Sequence, residues 1–211
     1  MDVVTDRLFR HLAWANNYVF DRIAEQPDSS LKLAAPNDTW TVAEILEHLT
    51  ASRYADLLDG TGDIPTQVPS NKAEVLALKE LSHGFDLRLR EAAKNPVGFV
   101  EFQRGERTIR RNRETILTQS IHHATEHRAQ IAGIFANHGL KVIDLDEIDM
   151  WQFANYEGLI YYTDLEGSAP TLSFTFPTLY LAASLNPTRI SILIIFIQEG
   201  FFLIHLVSKV K

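Results

Sequence analysis

Four stretches of this chain space their apolar residues three and four apart, and that period, more than any other feature, limits the fold to packed helices. In the first, VVTDRLFRHLAWANNYVFDRIAEQ, the stripe is Leu8, Leu12, Ala15, Val19 and Ile23. The second, WTVAEILEHLTASRYADLLDG, opens on a capping box of Thr41 and Glu44, with Trp40 and Ile45 at the hydrophobic-staple positions. It is predicted to run as one helix from Thr41 to Leu58. The third begins at Asn71, a capping residue with Glu74 three positions on, and carries Val75, Leu78, Leu81 or Ser82, Phe85 and Leu89 in spite of Gly84. The fourth runs from about Arg113 to His138, where Gly139 is a C-capping residue. LDEIDMWQFANYEG reads as a short fifth helix, and NPVGFVEFQRGERTIR as a loop or a short hairpin. The expectation is an all-α protein, a four-helix bundle with a short fifth helix, over residues 1–166.

From residue 167 to 211 the character changes. SAPTLSFTFPTLYLAASLNPTRISILIIFIQEGFFLIHLVSKVK is rich in Ile, Phe and Leu and nearly free of acids. Its longest apolar run, Ile192 to Ile197, falls far short of the roughly 20 residues of a membrane-spanning helix. The β-branched content and the break at Gln198, Glu199 and Gly200 suit a hairpin, or a helix buried against the bundle or a partner. This apolar extension is treated as a separate region of unassigned role.

Composition narrows the chemistry. A net charge of -7 argues against a dedicated nucleic-acid surface. The one basic run, RGERTIRRNRE, with Arg104, Arg107, Arg110, Arg111 and Arg113, is interleaved with Glu106 and Glu114 and reads as a solvated face. The chain has no cysteine, so thiolate nucleophiles and cysteine-ligated metals are excluded, and a metal would have to sit on His, Asp or Glu. MDVVTDRLFRHL has acids and no apolar signal core, so a cytoplasmic protein is expected and a membrane role is not.

The segment SIHHATEHRAQ then becomes the point of interest. Residues four apart on a helix lie one turn plus about 40° apart, so His123 and His127 share a face. That face also carries Ile116, Ser120, Ile131 and Ile134, so both imidazoles point inward. His122 falls about 100° away with Glu126 and Ala129, as a bystander. Buried imidazoles are costly unless their nitrogens are satisfied, and a metal satisfies them well at this spacing. A third ligand is expected from a facing helix, and His48, on the stripe of Ile45, Leu49 and Ser52, supplies it. His11, His83, His138 and His205 are less well placed. The bland alternative is three satisfied core histidines.

WTVAEILEHL and HHATEHRAQI, with Trp14 to Asn16 on the first helix, resemble the DinB/YfiT-like superfamily of metalloenzymes. That resemblance implies a four-helix bundle whose inner histidines bind one divalent metal, with His48, His123 and His127 as ligands. Arg128 and Gln130 match the arginine and glutamine that follow the last ligand, and Ala129 stands where a glycine is commoner. The resemblance also implies a link to stress response and chemistry like that of transferases using a low-molecular-weight thiol; other members are called hydrolases.

The leading expectation is a metal-dependent enzyme acting on a small molecule, most plausibly by thiol transfer, with zinc or nickel favoured over iron or manganese. The alternative is a non-catalytic, metal-stabilised bundle acting through oligomerisation, with a homodimer expected and Trp151 and Phe153 as exposed contact residues. No general base is evident, since Glu126 and Glu47 are both phased outward. Arg128 is expected to pair with Glu44 or Glu47, and Trp14 and Trp40 to serve as core and staple aromatics.

Overall fold

The computed structural model describes residues 1–36, 39–60 and 64–159, together with four short strands beyond them. Two compact units are present, Met1–Met150 and Trp151–Lys211. The first unit contains α1 (Val3–Ala24), α2 (Val42–Leu49), α3 (Ser52–Asp59), α4 (Lys72–Ala92), the strands β1 (Phe99–Arg104) and β2 (Arg107–Asn112), and α5 (Arg113–Asn137). A 3-10 turn at Leu145–Ile148 leads to α6 (Met150–Tyr156). The all-α class predicted from periodicity is the class observed.

The capping residues act as expected. Thr41 and Glu44 form a complete capping box, the Thr41 backbone N–H reaching Glu44 Oε2 at 2.7 Å. Asn71 Oδ1 accepts from the Glu74 N–H at 3.0 Å, while the Glu74 carboxylate reaches one residue further back, to the Ser70 N–H at 2.7 Å. Gly139, at φ +72, ends α5 in a Schellman motif, with the Leu140 N–H on the Phe135 carbonyl at 2.9 Å.

Helix two is not continuous. Ala51 adopts φ 52, the left-handed region, and divides the predicted Thr41–Leu58 helix into α2 and α3. The apolar positions carry the sign of it as a slip in phase: α2 buries Val42, Ile45, Leu46 and Leu49, and on a continuous helix Ala55 and Leu58 of α3 would lie about half a turn away from them. The break lets each half bury its own face: α2 packs on α5, whereas α3 packs on both α4 and α5. α1 lies along α4 and also touches α5. The core between them is made of Phe9, Leu12, Phe20, Ile45, Leu46, Leu49, Phe85, Leu89, Ile131 and Phe135, all essentially without solvent contact.

The segment left open between loop and hairpin is a hairpin. β1 and β2 pair antiparallel from Phe99↔Asn112 to Arg104↔Arg107. Gly105, at φ 60, stands first in the two-residue turn, the position where a type II′ turn requires positive φ. Arginines of this run are engaged structurally. Arg110 covers the Phe99 ring and lies 3.6 Å from Glu101, and Arg113 donates to the carbonyls of Leu58 and Asn95 at 2.6 and 3.0 Å.

In the second unit, β3 (Phe174–Phe176) pairs with β4 (Leu179–Leu181), and β5 (Leu193–Ile197) with β6 (Gly200–Ile204), both antiparallel. Of the two readings offered for the apolar tail, the hairpin is therefore the one seen at the QEG break; its remaining residues, His205 among them, lie outside the described residues. On α6, Trp151 is 76% exposed, but Phe153 is buried and stacks with Tyr156 at 6.0 Å, which corrects its expected place on the surface. No described helix is long and apolar enough to cross a membrane.

Candidate metal centre

α5 brings His123 and His127 to the core side of the helix, each 8% exposed, with their rings 4.2 Å apart and nearly perpendicular. His122 and Glu126 are exposed, as their helical phase predicts. His48, in the last turn of α2, meets the pair from across the α2–α5 contact, with ring separations of 4.7 Å to His123 and 4.9 Å to His127. One nitrogen from each of the three imidazoles lies within 4.8 Å of the others. His48 differs from expectation in one respect. It sits at the solvent rim, not on the buried stripe with Ile45 and Leu49, because its phase turns it past the core toward the mouth of the cluster.

The electrostatics favour the neutral imidazole at His123 and His48. Burial, followed by the neighbouring His127 and His48, lowers the His123 pKa from 6.5 to about 4. Burial and then His127 lower that of His48. Neutral imidazole is the form a metal ion requires. His127 Nδ1 lies 2.5 Å from Gln130 Oε1. An amide oxygen can only accept, so Nδ1 is the donor of this bond, and in the neutral ring Nε2 then holds the lone pair. His123 Nε2 approaches the His48 carbonyl oxygen at 3.4 Å, a contact at the outer limit of a hydrogen bond.

Sequence reasoning missed the aromatic walls of the cluster. Trp40, assigned to the staple, is 39% exposed, stacks on His127 at 6.0 Å and meets His48 edge-on at 4.8 Å. Tyr54 on α3 meets His123 edge-on at 5.2 Å. The α2–α3 break brings both helices to α5, so a Tyr six residues beyond His48 returns to the same cluster. A shallow, open depression lined by Glu126, His127, Ala129 and Gln130 adjoins the site. Ala129, the departure from the commoner glycine, is exposed there and takes no part in the core.

The expectation for Arg128 is overturned. It pairs with neither Glu44, which is held by Thr41, nor Glu47, which accepts a short hydrogen bond from Thr66. Arg128 is 4% exposed and donates from Nη1 to Asn16 Oδ1 at 2.7 Å and from Nη2 to Thr125 Oγ1 at 3.0 Å. Asn16 in turn donates to both carboxylate oxygens of buried Asp86, at 3.1 and 3.3 Å. Asp86 was not singled out in the sequence; an acid on the apolar stripe of α4, one residue after Phe85, was the available signal.

The remaining described histidines have ordinary partners. His11 Nε2–H donates to the Ile148 carbonyl at 2.7 Å, and His138 Nε2–H to that of Ala34 at 3.1 Å. His83 Nδ1 accepts from the Asn17 amide at 3.4 Å. Among the described residues, the three-histidine cluster is thus the only group of its kind.

A largely helical domain presenting three convergent imidazoles beside an open depression has the donor set of metal-binding helical proteins. Within that class, the model of the DinB family matches residues 1–158, and the chain belongs to the DinB family. No curated protein and no solved structure matches it.

Proposed function

We propose that His48, His123 and His127 bind one divalent metal ion and that the protein is a metal-dependent enzyme of small-molecule chemistry, similar to thiol-dependent transferases. The observation that carries this reading is the approach of three imidazole nitrogens to within 4.8 Å. Tetrahedral coordination at about 2.0–2.1 Å sets ligand nitrogens roughly 3.3 Å apart, so modest side-chain rotations close the site. The donor set fits: the lowered pKa values of His123 and His48 keep both neutral near pH 7. Imidazole ligation suits zinc or nickel, and also admits iron or manganese.

When bound, such an ion supplies Lewis acidity and lowers the pKa of a coordinated water or thiol. The protein's own residues hold and shape the site. Gln130 fixes the His127 tautomer with Nε2 free, and Trp40 and Tyr54 wall the cluster with aromatic surface. Glu126 sets a carboxylate at the edge of the depression. Three protein ligands leave a coordination position open, the pattern of catalytic sites and not of closed structural ones. With no cysteine in the chain, a thiol nucleophile must arrive as a co-substrate, a low-molecular-weight thiol.

The test is turnover of a small electrophile by zinc- or nickel-loaded protein with and without added thiol. Thiol-dependent consumption that disappears in His48→Ala supports the enzyme. Loaded protein with no turnover under any thiol would favour the second reading, a metal-stabilised bundle acting as a homodimer or through other protein contacts. The 76% exposure of Trp151 is the observation behind that reading. Nucleic acid and membrane are not proposed as partners, and a cytoplasmic location is retained as part of the proposal.

A further inference from the structure

The middle of α5 has almost no apolar means of fixing its own rotation. Its large core residues lie at the two ends, Ile116 and Leu117 before the cluster and Ile131, Ile134 and Phe135 after it. Between them the buried positions are Ser120, His123, Ala124, His127 and Arg128. Apolar burial is non-directional, and here only Ala124 and the partly buried Ile121 contribute to it. Hydrogen bonds are directional, and beside the long 3.4 Å contact of His123 with the His48 carbonyl, the side chain of this stretch that makes them to other helices is Arg128, the residue after His127.

From that arrangement we infer that Asn16, Asp86 and Arg128 form a buried clamp whose task is to set the rotation of α5, and thereby the convergence of His123 and His127 on His48. The clamp joins three helices: Arg128 on α5, Asn16 on α1 and Asp86 on α4. Asn16 is the hinge of it, accepting from the guanidinium at 2.7 Å and donating to the carboxylate at 3.1 and 3.3 Å. Its three members are 1%, 2% and 4% exposed, so the contacts are shielded from water and the geometry is stiff. The second guanidinium prong, on Thr125 Oγ1, ties the Arg128 side chain to its own helix one turn back, so that any rotation of α5 strains the clamp. Buried charged groups seldom add stability over apolar residues of like volume, and their best-attested use is to select one arrangement among several. Asn16, Asp86 and Arg128 are therefore positioning residues. Their functional weight rests on the metal-site reading, but the positioning itself can be measured without any ion.

The experiment compares metal-free wild type with Asn16→Leu/Asp86→Leu/Arg128→Met, which replaces the clamp by apolar side chains of similar volume. Far-UV circular dichroism and the melting transition report folding. Ring-to-ring NOEs in histidine-labelled protein report the cluster, where wild-type rings stand 4.2, 4.7 and 4.9 Å apart. The expected result is a helical, cooperatively melting variant in which the NOEs from His48 to His123 and His127 are lost. Wild-type NOEs in that variant would overturn the inference. Should the triple variant not fold, Arg128→Lys decides, since it keeps the charge and loses the two-pronged contact. Full helicity with weakened His48–His127 NOEs sustains the clamp, and unchanged NOEs dismiss it. A zinc titration of both proteins adds the consequence, a loss of at least tenfold in affinity for the variant. Wild type with intact NOEs that takes up no zinc, nickel, iron or manganese would sink the metal reading and leave the clamp standing.

Discussion

Each imidazole of the cluster gives up hydration that its neighbours do not return, and His123 bears most of this cost. Its pKa, lowered from 6.5 to about 4, means that the unfolded chain takes up the proton first. The folded state therefore loses stability as pH falls from about 6.5 through about 4. Asp86 acts in the opposite sense. Burial pushes its carboxyl up from 3.8 to about 7, against the Asn16 hydrogen bond and the Arg128 charge, so its contribution is lost as pH rises through about 7. Only a difference between proteins isolates either group. In metal-free buffer, wild type should lose stability relative to His123→Ala between pH 6.5 and 4, as followed by urea unfolding; parallel profiles would contradict this. The inward pair was legible in the sequence because one helical turn relates His123 to His127. Arg128 and its partners were not, since Asn16 and Asp86 lie 112 and 42 positions away and no local period connects them.

The helices obey their caps, and their interiors hold the testable exceptions. Ala51 takes a left-handed conformation that costs a non-glycine residue about 1 kcal/mol or more. Glycine there relieves the strain but loses about as much in unfolded-state entropy, so Ala51→Gly should unfold within about 0.5 kcal/mol of wild type. Ala51→Val, β-branched at positive φ, should cost about 2 kcal/mol. Equal stability of the two variants would show that the α2–α3 break does not depend on this residue. Gly84 is a simpler case. It lies inside α4, exposed, and a Cβ there would meet nothing within 4 Å. Gly84→Ala should raise stability by about 1 kcal/mol in denaturant titration, and a destabilised variant would reveal a packing role that the open space does not suggest. Helix boundaries were legible wherever a capping residue announced them. The break at Ala51 was not, because alanine carries no turn signal and repeated spacings of three masked the slip in phase, and so Tyr54 beyond the break could not be assigned to the cluster.

At the scale of the molecule, the family match over residues 1–158 and the first compact unit, Met1–Met150, cover nearly the same stretch, and both contain all three histidines. A site whose ligands His48 and His123 lie 75 positions apart can exist only in the folded chain, so binding of a metal there would be coupled to folding. Zinc at a hundredfold excess over its dissociation constant should stabilise this unit by about 2.7 kcal/mol, which raises the melting temperature by roughly 5–10 °C. An unmoved melting curve at that concentration would mean that any binding is not specific to the folded state.

The central claim is that His48, His123 and His127 together hold one metal ion. It is tested most directly by elemental analysis of untagged protein, comparing wild type with His48→Ala and His127→Ala. The account predicts about one divalent ion per wild-type chain and its loss from both variants, each of which remains folded. Metal-free protein in every sample, with the variants merely destabilised, would contradict it and return the three histidines to the core.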